Sequence, residues 1–486
     1  MQLALKAIAW IVGALLVVLL AAFVWGRLRP PTATQAEALA LLRPASASPG
    51  RNAWPVLWLM DYDVPADRID AVYAQERMHM QDWANHLPAT PSTTDVIYKP
   101  LVAAQYSKRA AIDTADRQRL CASKEEDCLA KVRAGGQPLR DLLARQAGRL
   151  AQVESMNTAD MLWDDVPANR FSFEQLPAFI NTEDLLLTAA AMDFADGRQA
   201  QALSAVCRQA ASVRRLHART NSLIAAMVGI MWMEADERVL AGMLKELPSD
   251  QAVPDECMQA FAPPVLADVS LCLPMQHEYE AVAGIMGTLA PDRLHGFQRL
   301  KMAALLDERG FRRLRAPTFA WACQQRVQIA ALADQQLPMM DMLAVRYDAF
   351  DAVSNTVGLI LARVGTPGYA QYVARNQDYA AGLRMMAWLL HTRAMATDWQ
   401  QQLAKALPTL RESGNRSISI DPDGRFLHMR YYATRPDSGR RRQIAISNAS
   451  IASSRARLDF IDHPMTAREY RSMTTARYNQ PSAVRR

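Results

Sequence analysis

The run AIAWIVGALLVVLLAAFVWG, from Ala7 to Gly26, constrains this chain more than any other segment. At a helical rise of 1.5 Å per residue, about 20 residues span about 30 Å, the thickness of a bilayer hydrocarbon core. Trp10 and Trp25 stand near its two ends, where amphipathic rings favour the headgroup region, and Lys6, Arg27 and Arg29 flank it. A cleaved signal peptide has a shorter apolar stretch, about 7–15 residues, followed by small residues at the cleavage point. Here the run ends in bulky Phe23, Val24 and Trp25, and the first cysteine is Cys121, too distant for a lipidated amino terminus. Residues 7–26 are therefore expected to remain as an uncleaved signal anchor.

Basic residues stand on both flanks, so the positive-inside rule alone does not orient the anchor. Residues 1–6 are too few to hold a domain, which leaves the bulk of the chain on one side. An anchor of bacterial type sends that bulk outward. The expectation is a single pass of a bacterial inner membrane, with residues 1–6 cytoplasmic and the body in the periplasm.

The rest of the 486-residue chain is 50% hydrophobic and 21% charged overall, enough to bury a core and too apolar for general disorder. No second long apolar run exists, which argues against a polytopic protein. The 26 prolines and 20 glycines punctuate Ala/Leu-rich stretches, predicting many short helices. Residues 27–52, with RPPT and ASASPG, read as a linker carrying a short helix at Gln35–Leu42. A helical body follows over 53–411, starting with the apolar segment Asn52–Tyr62 and a helix running to about Asn85, closed by Pro88 and Pro91. Its strongest part is Leu185–Leu247, where small residues at Ala190, Gly197 and Ala202 suit close helix contact. Gly197 is placed to end one helix and Asn221 to cap another. The pattern resembles tetratricopeptide-like hairpins without a regular 34-residue period. Further breaks fall at Pro317, Pro338 and Gly365–Gly368. Over 412–449 the pattern changes to strand alternation in Arg416–Ile420, Phe426–Tyr432 and Gln443–Ser447, with turns at Asp421–Gly424 and Pro436–Gly439. The predicted fold is mainly α: an irregular, solenoid-like array of helix hairpins after one transmembrane helix, closed by a small antiparallel β-meander.

Charge is uneven. Residues 411–486 hold 15 Arg, no Lys and 7 acidic residues, a net of +8, against −2 for residues 1–410. The basic stretch, with Arg440-Arg441-Arg442, reads as a solvated end, disordered over 450–486, that offers cations to anionic lipid or an acidic partner. Nucleic acid is not expected as a partner of an exported chain.

Six cysteines admit 15 pairings. In an exported chain they are expected to be oxidised; in a reducing compartment they would be small buried hydrophobes. Cys121 and Cys128, in LCASKEEDCL, are the first pair. On one continuous helix they would lie about 10 Å apart, too far to bridge, so Ser123–Asp127 has to turn back. Cys257 and Cys272 flank the Pro263-Pro264 break and form the second expected pair, leaving Cys207 and Cys323.

No catalytic, cofactor or metal motif stands out. Glu76 and His79, with Asp82 and His86 further on, lack the matching set a di-metal site requires on a facing helix. His277-Glu278-Tyr279-Glu280 lacks the second histidine of a zinc peptidase. P-loop, nucleophile-elbow and dinucleotide fingerprints do not occur. Asp61/Asp63 and Asp164/Asp165 are paired carboxylates of the kind glycosidases use, although acidic pairs are more often helix caps. Met339-Met340-x-Met342 and Met385-Met386 suit core gaps.

The anchor, the Asn52-Ala-Trp and Leu57-Trp-Leu segment, the Cys121–Leu129 loop, the Leu185–Leu247 helices and the Tyr372–Leu383 helix ahead of the meander together resemble a group of membrane-anchored, mostly helical proteobacterial periplasmic proteins. That resemblance implies export and a Cys121–Cys128 bridge, and it implies no activity and no cofactor. The leading expectation is a non-enzymatic body that meets another envelope protein. It would serve as a secretion or envelope accessory factor, or as an immunity protein neutralising an antibacterial toxin. The competing expectation is an envelope hydrolase acting on cell wall or lipid through Asp164 and Asp165.

Overall fold

The computed structural model describes residues 2–47, 49–86, 98–122, 125, 127–166, 182–248, 251–288, 296–338, 344–364, 369–395, 416, 418–421, 425–433 and 441–446. Pro88, Pro91, Met339–Met342, Gly365–Gly368, most of both meander turns and the 450–486 tail lie outside these residues. Helices α1 (Gln2–Leu28), α2 (Ala33–Leu41), α3 (Trp54–Trp58), α4 (Ile69–His86), α5 (Thr114–Arg119), α6 (Cys128–Arg145) and α7 (Ala147–Glu154) form the first half. They are followed by α8 (Thr182–Ala195), α9 (Gln199–Ala218), α10 (Leu223–Glu246), α11 (Asp255–Ala260), α12 (Leu266–Val269), α13 (Cys272–Thr288), α14 (Gly296–Leu305), α15 (Glu308–Ala320) and α16 (Gln325–Leu332). Then come α17 (Ala349–Ser354), α18 (Thr356–Val364) and α19 (Tyr369–Met395), and a sheet of β1 (Ile418–Ile420), β2 (Phe426–Arg430) and β3 (Arg441–Ala445). The chain is mainly helical, with one long apolar amino-terminal helix and one small antiparallel sheet near the carboxyl end.

Helix α10 is the spine. It packs against α6, α8, α9, α13, α19 and β3, and its residues are buried almost all round, from Leu223 to Leu244. A helix touched on every side carries apolar residues on every side, which explains why Leu223–Glu246 shows no clear polar stripe. Its neighbours α8 and α9 form an antiparallel hairpin whose turn holds Gly197 at φ +88°, a left-handed conformation natural to glycine. Ser222, not Asn221, caps α10, accepting a hydrogen bond from the Ala225 amide. Asn221 is drawn elsewhere by two long-range partners described below. Met385 and Met386 of α19 are fully buried in the core, as gap-filling residues.

Helix α1 is long and apolar enough to cross a membrane, and its apolar side chains from Leu5 to Val24 are largely exposed. Its last turn is fastened to the body. A Cβ on Gly26 would fall 2.4 Å from Ser354 Oγ, so only glycine allows α17 this close. The Arg27 guanidinium donates to the carbonyls of Ala303 and Ala304 at 2.6 and 3.1 Å, at the end of α14, where cations complement the helix dipole. Arg29 pairs with Asp348 and Asp351, and Arg313 of α15 donates to the Gly26 carbonyl at 3.1 Å. The short helix expected within the linker at Gln35–Leu42 is present as α2, Ala33–Leu41, and it is seated on the body. Thr32 and Gln35 form a capping box at the start of α2, which packs on α15 and buries Ala38 and Leu42.

Strands β1, β2 and β3 form a meander in that order, with Ile418 opposite Met429 and Leu427 opposite Ile444. Alternation turns Ile418, Leu427, Met429, Ile444 and Ile446 inward. Two arginines lock the sheet to the helices. Arg416 donates through Nε to Asp334 at 2.9 Å, pairs with Asp378, and lies over the Tyr432 ring at 3.8 Å. Arg442 of β3 reaches between α10 and α19, where it pairs with Glu237 and donates to the Asp378 carbonyl at 3.0 Å. Gly382 clears its path, because a Cβ there would lie 2.4 Å from the guanidinium carbon. The expected solvated run Arg440–Arg442 is thus corrected at Arg442, which is buried because strand alternation points it at two acidic side chains of α10.

The six cysteines form three disulfides: Cys121–Cys128, Cys207–Cys257 and Cys272–Cys323. The first closes the short turn between α5 and α6, with Cα atoms 5.3 Å apart. The expected Cys257–Cys272 bridge is replaced. The side-by-side packing of α9 and α11 sets Cys257 against Cys207. The packing of α13 on the turn after α15 sets Cys272 against Cys323.

Candidate functional site

The residues 161–166 run extended between the segment after Gly50 and the α9–α10 connection, held by parallel bridges of Met161 with Asn52 and Leu162 with Thr220. This places Asp164 beside Asn221 and α13. Asn221 Oδ1 accepts from the Asp164 amide and its Nδ2 donates to the Asp164 carbonyl, both at 2.7 Å. The same Nδ2 lies 3.3 Å from His277 Nδ1, while His277 Nε2 stands 3.8 Å from Asp164 Oδ2. Glu278 is buried next to His277, with Arg315 and Asp164 within its electrostatic reach. Burial pushes the Asp164 carboxyl up to about 7, against the Val166 amide that donates to it at 3.0 Å. Burial also pushes Glu278 up to about 7, helped by Asp164 and opposed by Arg315, and it pulls the His277 imidazole down. Two carboxyls and an imidazole, all shifted toward their neutral forms in one polar cluster, form a constellation among the described residues that is suited to proton transfer.

The neighbouring carboxylate has other partners. Asp165 accepts from the Tyr73 hydroxyl at 2.5 Å and pairs with Arg77 at 3.0 Å, so Asp164 and Asp165 serve different surroundings. The second expected pair also diverges: Asp61 binds Arg149 at 3.0 Å and Asp63 binds Arg109 at 3.3 Å. Glu76 is buried, accepting from Tyr98 Oη at 2.6 Å and from the amides of Leu101 and Val102 at 3.1 and 2.9 Å. It holds a turn together. His79 bonds the Lys99 carbonyl, and Asp82 and His86 pair on an exposed face. Among the described residues, no three His, Cys, Asp or Glu side chains group as metal ligands. Asp164 and the His277–Glu280 run stand out separately in the sequence, and nothing local joins them or marks Asn221 as the link between them, because 56 or more residues separate these partners.

A second acidic group lies deeper. Glu183 of α8 and Asp236 of α10 are both buried and within electrostatic reach of one another, and Gln209 donates to Glu183 at 2.8 Å. Among the described residues, no amide, hydroxyl or guanidinium donates to either oxygen of Asp236, so burial favours its neutral, protonated form. Burial, then mutual repulsion, raises Asp236 well above the ordinary carboxylate range. The unfolded chain releases this proton near pH 4. The folded chain therefore holds more protons above that pH, and its stability falls as pH rises toward neutrality. Thermal melts of Asp236→Asn against the parent should show the parent losing more stability between pH 5 and pH 8. Parallel curves would contradict retention of a proton by Asp236.

No protein-family model, curated protein or solved structure matches this chain.

Proposed function

We propose that this is an exported, membrane-tethered protein whose helical body acts by binding another protein of the bacterial envelope. The observation that carries the reading is the oxidation of all six cysteines into three disulfides, behind an amino-terminal helix able to span a bilayer. Disulfides persist in the periplasm and are rare in the cytosol, and a tether keeps such a body at the inner membrane. The hairpin array of α8, α9 and α10 supports a binding role, because stacked helix pairs present extended surfaces. Two kinds of partner suit that role: a component of a secretion or envelope assembly, or an antibacterial toxin neutralised by an immunity protein.

The test is labelling of intact cells with a membrane-impermeant maleimide. No label is expected without reductant, and strong labelling after mild reduction. Thiols that react only after lysis, with no reductant needed, would put the body in the cytosol. Detergent extraction should then recover a stoichiometric partner, and recovery of the chain alone under every growth condition tells against the binding role.

The Asp164–His277–Glu278 cluster favours one second reading, an envelope hydrolase working on cell wall or lipid. It predicts release of muropeptides or fatty acids by the purified protein that Asp164→Asn and Glu278→Gln each abolish. Activity of that kind would displace the binding role.

A further inference from the structure

We infer that the face of the body formed by α14, α17 and α18 lies in the surface of the same bilayer that α1 crosses. The structure thus assigns this chain a second, monotopic membrane contact made of apolar side chains with a basic rim. The inference rests on the reading of α1 as a membrane span, and it adds a site that the anchor alone does not require.

Three observations converge. The first is the concentration of exposed apolar groups. Outside α1, twelve large apolar side chains are exposed among the described residues, and seven of them lie between Phe297 and Val364 on α14, α17, α18 and the approach to α17. Phe297 and Leu300 on α14 are 79% and 67% exposed, and Ile360 and Val364 on α18 are 58% and 73% exposed. Scattered single apolar residues are ordinary on a surface, whereas a concentration on adjoining helices marks a contact.

The second is continuity with the span. Gly26 lies one residue beyond Trp25, whose ring suits the headgroup belt, and Gly26 is the residue against which α17 packs. Arg27 fixes the end of α14 to the same turn. Exposed Phe350 and Val353 of α17 are therefore held within a few ångströms of the depth at which α1 leaves the hydrocarbon. Helix α18 follows directly through Asn355 and packs on α14 and α15. Its inner residues Leu359 and Ala362 join the core beneath, leaving Ile360 and Val364 turned away from the body.

The third is charge. Lys301, Arg346 and Arg363 are exposed among these apolar groups, and Arg363 lies over the ring of Tyr347 at 5.5 Å. Apolar residues interleaved with cations are the pattern of helices that lie in an anionic lipid interface. The acidic groups of this region are largely engaged: Asp348 and Asp351 bind Arg29, Asp307 lies 3.8 Å from Arg313, and Glu308 binds Arg312 at 3.3 Å. Among the described residues, an anionic headgroup thus meets exposed cations and few free carboxylates.

The experiment uses the full chain with its disulfides intact, reconstituted in phosphatidylcholine vesicles with and without a third of phosphatidylglycerol. Single cysteines at Phe297→Cys, Ile360→Cys, Val17→Cys and Met78→Cys each carry a nitroxide, and collisions with oxygen and with a nickel chelate are compared. Met78, 61% exposed on α4, is the aqueous reference, and Val17 reports the span itself. Labels at 297 and 360 are expected to meet oxygen several-fold more, and nickel several-fold less, than the label at 78. The difference should grow with phosphatidylglycerol. With Val17 immersed, nickel access at 297 and 360 equal to that at 78 overturns this inference alone. Labels shielded from both reagents would mean protein covers the face, a partner or a second copy, and also overturn it. Equal immersion in both lipids removes the role of the cations. Nickel access at Val17 overturns the span instead, a separate failure.

Discussion

Replacing Arg416 with methionine is expected to lower the stability of the folded chain by about 3–5 kcal/mol, the usual effect of removing one partner from a buried ion pair. The side chain is 3% exposed and faces two carboxylates that are 7% and 0% exposed, Asp334 and Asp378. With Arg416 gone, Asp378 keeps the amides of Tyr432 and Ala433 among the described residues, and Asp334 keeps a distant Arg384 at 3.9 Å. Both carboxyls would be left poorly compensated in a dry setting. Lysine should recover only part of the loss, because Arg416 grips Asp334 through Nε and Nη2 while Nη1 reaches Asp378, which a single ammonium cannot do. Urea denaturation measures the change, and limited proteolysis between 416 and 446 reports whether the meander lets go. A loss below about 1 kcal/mol with the meander still protected would mean that apolar packing of Leu427 and Ile444 holds the sheet unaided.

The features readable from sequence are those whose cause is local. The apolar run of α1, the strand alternation around Phe426–Arg430, the left-handed turn at Gly197 and the turn that brings Cys121 to Cys128 all depend on neighbours within a few residues. The features missed depend on partners brought together by packing. Cys207 and Cys257 are 50 residues apart, and the approach of α11 to α9 is what selects Cys257 over the other cysteines as the partner of Cys207. Asn221 has the composition and position of a helix cap, and Ser222 beside it has them too. Which of the two caps α10 is decided by Asp164, 57 residues earlier, whose amide and carbonyl take the Asn221 carboxamide. Arg442 sits in an Arg-rich stretch whose summed charge gives no sign that one member is buried against Glu237, 205 residues away. The candidate site shares this character. Asp164 and His277 were each visible as residue types, but their apposition belongs to the fold.

Reduction of the disulfides is expected to remove most of the stability of the body. Cys207–Cys257 and Cys272–Cys323 close stretches of 50 and 51 residues that follow one another without overlap, so each restricts the unfolded chain independently. Chain-entropy arguments give about 4 kcal/mol for a loop of this size, and the short Cys121–Cys128 loop adds about 2.5 kcal/mol. Two such contributions alone approach the 5–15 kcal/mol by which folded proteins are generally stable. Cys207 and Cys257 are also fully buried in the core, so thiols left there have no room to separate without disturbing α9 and α11. Cys207→Ala/Cys257→Ala should therefore lose several kcal/mol in urea, more than Cys121→Ala/Cys128→Ala, and full reduction should unfold the chain at 37 °C. Both double variants keep similar apolar volume, which separates the loss of the covalent link from the loss of packing. Equal losses in the two variants would show that the length of the closed loop does not set the effect. A reduced chain that melts within a few degrees of the oxidised one would deny the disulfides a structural role, and with it the strongest reason to place this body in an oxidising compartment.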